Sequence, residues 1–283
     1  MEIPHIKLES GSSVPQLGLG TWKLTGNDCT AAVETALKLG YTHIDTAEHY
    51  GNHVEIAEAI GGFDRSKLFI TSKVWLTDLR RGDVLKACDR ALKELCTDYL
   101  DLYLIHWPNP SVPLAESLGA MSELYRTGKI KSIGVSNFTI RHLEEALGAG
   151  VPISMNQVEF HPGLYQKELL DFCKERNIFV TAYSPLGRGG LIGDKTITSI
   201  AGKNGKTPAQ VCLMWLVQKG MVVIPKAASE AHLKENMCIF GWKLGDADMN
   251  SIDAMGSNNR IIARGLAYWA IGALGFVGSI LHR

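Results

Sequence analysis

The 283-residue chain carries 29 basic and 29 acidic side chains, with 46% hydrophobic and 20% charged residues. That much apolar material, regularly interrupted by charge, excludes a disordered chain and a polytopic membrane protein. A net charge of zero gives no electrostatic reason to expect a nucleic-acid partner.

Two short extended pieces within residues 2–15 turn at Glu9–Ser12, as a hairpin closing one end of a domain would. No basic start and apolar core is seen in residues 1–15, so a cytoplasmic protein without an export signal is expected. The first strand is predicted over Gln16–Thr21, followed by a helix over Thr30–Leu39 that stops at Gly40. Strands follow at His43–Thr46 and Leu68–Val74, then a helix at Asp83–Leu95. The alternation continues with strand Leu100–Ile105, helix Glu116–Arg126, strand Ser132–Val135 and helix Ile140–Leu147, the last opened by Thr139. Strand Ser154–Glu159, helix Lys167–Arg176 and strand Ile178–Tyr183 come next. Between Tyr183 and Val222 the strand rhythm breaks; Gly187, Gly189, Gly190 and Gly193 predict a long flexible loop. Thr207 before Pro208 then opens a helix over Pro208–Gln218, and Val222–Pro225 is the last strand. Eight strands alternating with helices at βα spacing predict a single-domain closed parallel (β/α)8 barrel, an α/β fold, over residues 1–259. An open doubly wound sheet fits less well, because Gly18-Leu19-Gly20 lacks the third glycine that would begin a helix.

The six cysteines (Cys29, Cys88, Cys96, Cys173, Cys212 and Cys238) are scattered, as suits reduced thiols in a cytoplasmic protein. The nine histidines form no metal-ligand spacing, so no metal is expected.

Barrel chemistry collects at the carboxyl ends of strands. Here those ends carry Trp22, Asp45, Lys73 with Trp75, His106 with Trp107, Ser136 with Asn137, Gln157, Tyr183 and Lys226. Singly, Asp45 reads as a helix cap, Lys73 as a surface charge and His106 as a structural histidine. One rim that gathers them with Tyr50 reads instead as an acid–base site. An ammonium near a phenol favours the phenolate, so Lys73 backed by Asp45 is expected to lower the pKa of Tyr50. Such a phenol protonates a carbonyl oxygen as the carbon accepts hydride, with the His106 imidazole orienting the substrate.

These residues sit in stretches that resemble the aldo-keto reductase family along nearly the whole chain to about Asn259. The stretches are Leu17–Trp22, Gly40–Asn52, Ile70–Trp75, Leu100–Pro108, Ile133–Phe138, Asn156–Pro162, Ala182–Leu186 and Val223–Lys226. The compact rim resembles that of microbial members that reduce diketogluconate or methylglyoxal. The resemblance implies NADPH- or NADH-dependent reduction of small aldehydes and ketones, including dicarbonyls and keto-sugars. It makes Tyr50 the proton donor, Lys73 and Asp45 the pair behind it, and His106 the orienting imidazole. Ser136, Asn137 and Gln157 would hold the nicotinamide carboxamide, with Tyr183 stacked beneath the ring and Thr21 and Trp22 beside it. Ser184, Leu186 and Gly187 belong to the segment that crosses the pyrophosphate. Trp22, Trp75 and Trp107, with His106, would line an apolar substrate mouth.

Lys226, Ser229, His232, Glu235 and Asn236 match the family's adenosine end, with two departures. Ala227 replaces a common serine and His232 a common arginine, which weakens a grip on a 2′-phosphate. NADPH is still expected through Lys226, and NADH is kept as an alternative. His53, where the family commonly has glutamate, is a departure without an evident consequence.

The partner expected is a small carbonyl compound, for a monomer or weak dimer. The alternative is a cofactor-binding regulatory or membrane-associated barrel with incidental reductase activity. Leu266–Leu281, sixteen residues without a charge in an apolar tail over residues 260–283, is short for a membrane span. It is read as packed on the barrel or the mouth, as an interfacial anchor, or as an oligomer contact.

Overall fold

Period-two runs of aliphatic residues, separated by capping chemistry, fold as strands and helices in near-strict alternation. The computed structural model describes residues 3–8, 10–256 and 259–261. Strands β1 (His5–Lys7) and β2 (Ser13–Pro15) form the expected antiparallel hairpin. Eight parallel strands follow: β3 (Leu19–Gly20), β4 (His43–Asp45), β5 (Phe69–Val74), β6 (Leu102–Ile105), β7 (Ile133–Ser136), β8 (Met155–Glu159), β9 (Phe179–Tyr183) and β10 (Val222–Val223). They pair in chain order from β3 to β10.

The seam between first and last strand is closed by a parallel bridge between Leu17 and Val223. Its hydrogen bonds run from Gly18 N to Val223 O at 2.9 Å, from Val223 N to Gln16 O at 2.9 Å and from Gly20 N to Pro225 O at 3.2 Å. A Cβ on Gly20 would lie 2.6 Å from the Ile224 carbonyl oxygen, so this close approach requires glycine. The seam strands are shorter than the runs Gln16–Thr21 and Val222–Pro225 predicted for them, because the barrel closes through single bridges there.

Alternation along each strand fixes which side chains face inward. Leu102 and Leu104 of β6, Phe69 of β5, Met155 of β8 and Val222 of β10 pack inside with Ile224, and Leu8 and Val14 of the hairpin plug the same cluster from below. Asp45, Lys73, Gln157 and Tyr183 share the parity of these inner residues but lie one or two layers higher, at the carboxyl ends. The opposite parity packs against helices in a larger core.

Ten α-helices are described. They are α1 (Gly26–Lys38), α2 (His53–Ile60), α3 (Arg81–Glu94), α4 (Leu114–Arg126), α5 (Ile140–Gly148), α6 (Lys167–Glu175), α7 (Lys195–Asn204), α8 (Pro208–Gln218), α9 (Glu230–Met237) and α10 (Asp246–Asp253). Thr139 and Thr207 form capping boxes with His142 and Gln210, which is why α5 and α8 start where the sequence predicts.

The long loop expected between Tyr183 and Val222 is a correction. Asp194 accepts from Thr196 N and Ile197 N at 2.9 and 3.1 Å and caps α7, which buries Ile197, Ile200 and Ala201. The loop before α7 shrinks to residues 184–194, which include one 3-10 turn at Gly187–Gly189, and short turns flank α8. Among the described residues, no helix is long and apolar enough to cross a membrane. Leu266–Leu281, with the three readings of the tail, lies outside the described residues.

Candidate active site

Lys73 is the centre of the rim. It is the last inward residue of β5, 0% exposed, and a buried ammonium needs acceptors for all three of its N–H bonds. It has them. Lys73 Nζ donates to Asp45 Oδ1 at 2.6 Å, to the Thr46 carbonyl at 2.7 Å and to Tyr50 Oη at 3.4 Å. Asp45, 2% exposed, also accepts from Gln157 Nε2 through Oδ2 at 2.7 Å. A four-residue chain Gln157–Asp45–Lys73–Tyr50 therefore crosses the mouth from β8 to the turn after β4.

Tyr50 ends a 3-10 turn, Glu48–Tyr50, that returns the chain from β4 to α2. Asn52 ties that return down: its amide donates to the carbonyls of Thr21 and Leu24 at 3.0 and 2.9 Å and accepts from Thr46 Oγ1 at 2.7 Å. Outside the barrel Glu48 pairs with Arg90 of α3, which also holds Asp78 at 2.8 Å. The turn is thus clamped on both sides of the phenol it carries.

His106 follows β6 with its ring edge-on to Tyr50 at 5.6 Å and to Trp75 at 5.0 Å. Burial, then the Lys73 charge, then His49 hold its imidazole well below the usual histidine pKa, so the ring is neutral at neutral pH. The expected lowering of the Tyr50 pKa is not met. Burial pushes the phenol well above its usual value, and the Asp45 carboxylate and Tyr183 phenol add to the rise. Lys73 is itself drawn below the usual lysine value by burial, partly offset by Asp45, and shares its donors among three acceptors.

The second half of the rim is amide-rich. Asn137, in the left-handed region at φ 64°, donates to the His106 carbonyl at 3.0 Å and to Ser136 Oγ at 3.1 Å, and accepts from Tyr183 Oη at 2.7 Å. Both amide donors of Asn137 are therefore used inside the protein, and its remaining outward capacity is as an acceptor. Ser136 Oγ donates to the Gln157 carbonyl at 2.9 Å. A small recess beside these residues is lined by Trp107, Asn137, Phe138, Val158, Gln166, Tyr183 and Arg260.

Trp22 is not in apolar surroundings. It is 38% exposed, with Lys23 Nζ and the Arg188 guanidinium each 4.7 Å from its ring centroid. Lys23, Ser184 and Arg188 all have positive φ, a strained backbone setting for residues other than glycine. Leu186 packs on the core, and Gly187 closes against Leu191. Lys226 is exposed just past β10, beside Gly20. Ser229 caps α9 by accepting from His232 N at 3.3 Å. Glu235 is half-buried with its carbonyl held by Gln210 at 3.1 Å, and Asn236 is 4% exposed beside Tyr41. Thr21 is fully buried, its hydroxyl donating to the Asp45 carbonyl at 2.9 Å.

Sequence reasoning missed three features. His49 stacks flat on Trp75, Glu48 anchors to Arg90, and His53 has a defined place. The His53 ring is buried between Glu94 at 2.9 Å and Ser72 Oγ at 3.0 Å, joining α2, α3 and the outer face of β5 directly behind Lys73. No metal-binding group of histidine, cysteine or acidic side chains exists among the described residues, and the six cysteines are free.

The family model described as "Aldo/keto reductase family" matches residues 16–257. Glyoxal reductase of Bacillus subtilis (strain 168) is 45% identical over 260 residues, covering 90% of this chain and 94% of that protein. A 9,11-endoperoxide prostaglandin H2 reductase of Trypanosoma cruzi (strain CL Brener) is 38% identical, covering 90% of this chain and 93% of that protein. The crystal structure of an aldo/keto reductase from Brucella melitensis superposes with a TM-score of 0.86 at 42% identity, covering 90% of this chain and all of that one. An eight-stranded barrel with a buried lysine at its mouth, matched over most of its length by reductases, belongs to the aldo/keto reductase family, and the protein is an oxidoreductase.

Proposed function

We propose that the protein reduces small aldehydes and ketones with hydride from NADPH, Tyr50 supplying the proton. The observation that carries this is the Lys73 ammonium bonded at once to Asp45, Thr46 and Tyr50. Because Lys73 donates to Tyr50 Oη, the phenol's own hydrogen points away from the lysine, toward the mouth. A substrate carbonyl oxygen accepts from that O–H and from the neutral His106 ring. As the oxygen gains charge, Tyr50 releases its proton to it. Lys73 then faces a phenolate, whose charge it stabilises from a position already built, so no reorganisation is needed. The raised phenol pKa keeps Tyr50 protonated before the reaction, which is the form a donor requires.

The residues around the tetrad fit a nicotinamide dinucleotide. Gln157 Oε1 has no donor among the described residues, and with Asn137 Oδ1 it offers acceptors to a carboxamide N–H2. The Tyr183 phenol, tied to Asn137, fixes a flat ring beside them. Ser184, Leu186 and Gly187, with Arg188 and Lys23 on Trp22, give a cationic crossing suited to a pyrophosphate. Lys226, Ser229 and the amino end of α9 suit a 2′-phosphate, which supports NADPH over NADH. Members of the family use nicotinamide cofactors; when bound, the group supplies hydride to the carbonyl carbon.

Loss of absorbance at 340 nm from NADPH and from NADH, across a panel of small aldehydes, dicarbonyls and keto-sugars, tests this. Turnover with NADPH is expected, and His232→Arg should shift preference further toward it. No turnover with either cofactor rejects the reaction, and equal dissociation constants for the two cofactors reject the 2′-phosphate site.

A further inference from the structure

Alternation along β5 puts Lys73 on the inner face and Ser72, one residue earlier, on the outer face, and both are fully buried. The segment that carries Tyr50 touches the strand on both faces. Inside, Lys73 Nζ reaches Tyr50 Oη at 3.4 Å. Outside, the His53 ring at the start of α2 meets Ser72 Oγ through Nε2 at 3.0 Å. Residues 50–53 thus straddle the carboxyl end of β5, and the outer contact is the shorter of the two.

The ring is fixed from a third element. Its Nδ1 lies 2.9 Å from Glu94 Oε2 of α3. A carboxylate only accepts, so Nδ1 carries the hydrogen, Nε2 is the acceptor, and the Ser72 hydroxyl donates to it. The chain Ser72–His53–Glu94 therefore satisfies both ring nitrogens with the imidazole neutral. Burial holds the ring below its usual pKa; Glu94 and Glu48 oppose this, and the Lys73 charge adds to it. A carboxylate at position 53 would instead face Glu94 as a like charge. Ser72 Oγ makes no other hydrogen bond among the described residues, so losing the ring strands a buried hydroxyl next to Lys73.

The other ties on the segment act elsewhere. Asn52 holds it to Thr21, Leu24 and Thr46, on the β3–β4 side of the rim. Glu48 reaches only Trp75 N, past the end of β5, at 3.4 Å. Lys73 is itself pinned by Asp45 and the Thr46 carbonyl at 2.6 and 2.7 Å, so the ammonium does not follow a shift of the phenol. The long Lys73–Tyr50 contact then lengthens with any displacement of the segment, and stabilisation of a developing phenolate depends on a distance set beforehand.

Resting on the carbonyl-reductase reading above, we propose that His53 is a positioning residue for proton transfer: through Ser72 it sets the register of Tyr50 against Lys73, with Glu94 fixing its ring.

The test is steady-state reduction of butyraldehyde by NADPH at pH 7, with cofactor dissociation constants and urea midpoints, for wild type, His53→Leu, Ser72→Ala, the double variant and His53→Gln. His53→Leu and Ser72→Ala should each lower kcat about five- to tenfold, with KM and the NADPH dissociation constant within about twofold. The double variant should be no slower than the slower single one, because both break the same contact. His53→Gln, which offers a donor and an acceptor, should keep kcat within about threefold of wild type. Unchanged kcat in Ser72→Ala, a loss carried by KM, losses that multiply in the double variant, or a His53→Gln as slow as His53→Leu each overturn the role of His53 and leave the reductase reading intact. If the leucine variant does not fold, Ser72→Ala decides, since it removes only a hydroxyl. A folded wild type inert toward aldehydes with either cofactor overturns the reductase reading and the inference with it.

Discussion

Removing Lys73 alone should be costly for stability, and removing its partner with it should be less so. In Lys73→Met the Asp45 carboxylate, 2% exposed, keeps only its bond from Gln157, and the Thr46 carbonyl loses its donor. Breaking one side of a buried ion pair costs about 3–5 kcal/mol, because an uncompensated charge stays in a low-dielectric site. For a domain of this size that corresponds to a fall in melting temperature of roughly 6–20 °C. The lone carboxyl relieves its charge by taking up a proton, so its folded pKa rises above the unfolded value of about 3.9. The penalty is then full at neutral pH and shrinks as pH falls through the raised folded pKa. Lys73→Met/Asp45→Asn removes both charges and should be more stable than Lys73→Met at pH 7. The assay is urea unfolding followed by tryptophan fluorescence and far-UV circular dichroism, at pH 7 and pH 5, for wild type and both variants. A cost below about 1 kcal/mol for Lys73→Met, independent of pH, would mean a solvated pair and would refute the buried one.

Other outcomes follow from single contacts. His43, fully enclosed in the barrel, has its pKa lowered by burial from 6.5 to about 4. The unfolded chain takes up that proton near pH 6.5 and the folded chain only near pH 4, so this stability is present above pH 6.5 and is lost as pH falls toward 4. The loss is on the order of 3 kcal/mol, and His43→Gln should flatten the melting-temperature profile over that window. Tyr183→Phe removes the 2.7 Å bond to Asn137 and should weaken cofactor binding about three- to tenfold by fluorescence titration. Gly20→Ala places a Cβ 2.6 Å from the Ile224 carbonyl and should cost about 1–3 kcal/mol in urea unfolding.

The barrel was legible because each strand announces itself by short aliphatic runs and several helices by their caps. Thr139 and Thr207 are the clearest cases, since a hydroxyl three residues before a polar side chain is a local signal. Helix α7 was hidden because Lys195–Asn204 mixes threonines with a glycine and is helical through burial of Ile197 and Ile200, which depends on tertiary packing. Within the site, their positions at strand carboxyl ends placed Asp45 and Lys73 on one rim, where the ion pair forms. The pKa of Tyr50 did not follow, because sequence names the neighbouring ammonium but not the burial that raises the phenol. His49 and His53 were equally hidden. Each acts through a ring contact or hydrogen bond to a residue at least 19 positions away, and a lone histidine carries no periodic signal.

Tyr50→Phe, compared with wild type in single-turnover reduction under saturating NADPH, bears most directly on the central claim. Phenylalanine keeps the ring against His106 and removes only the hydroxyl that Lys73 contacts. The rate should fall by about 10²–10⁴-fold, the range for a positioned proton donor, with the NADPH dissociation constant unchanged within about threefold. A variant that still reduces aldehydes within tenfold of the wild-type rate would contradict Tyr50 as the proton donor.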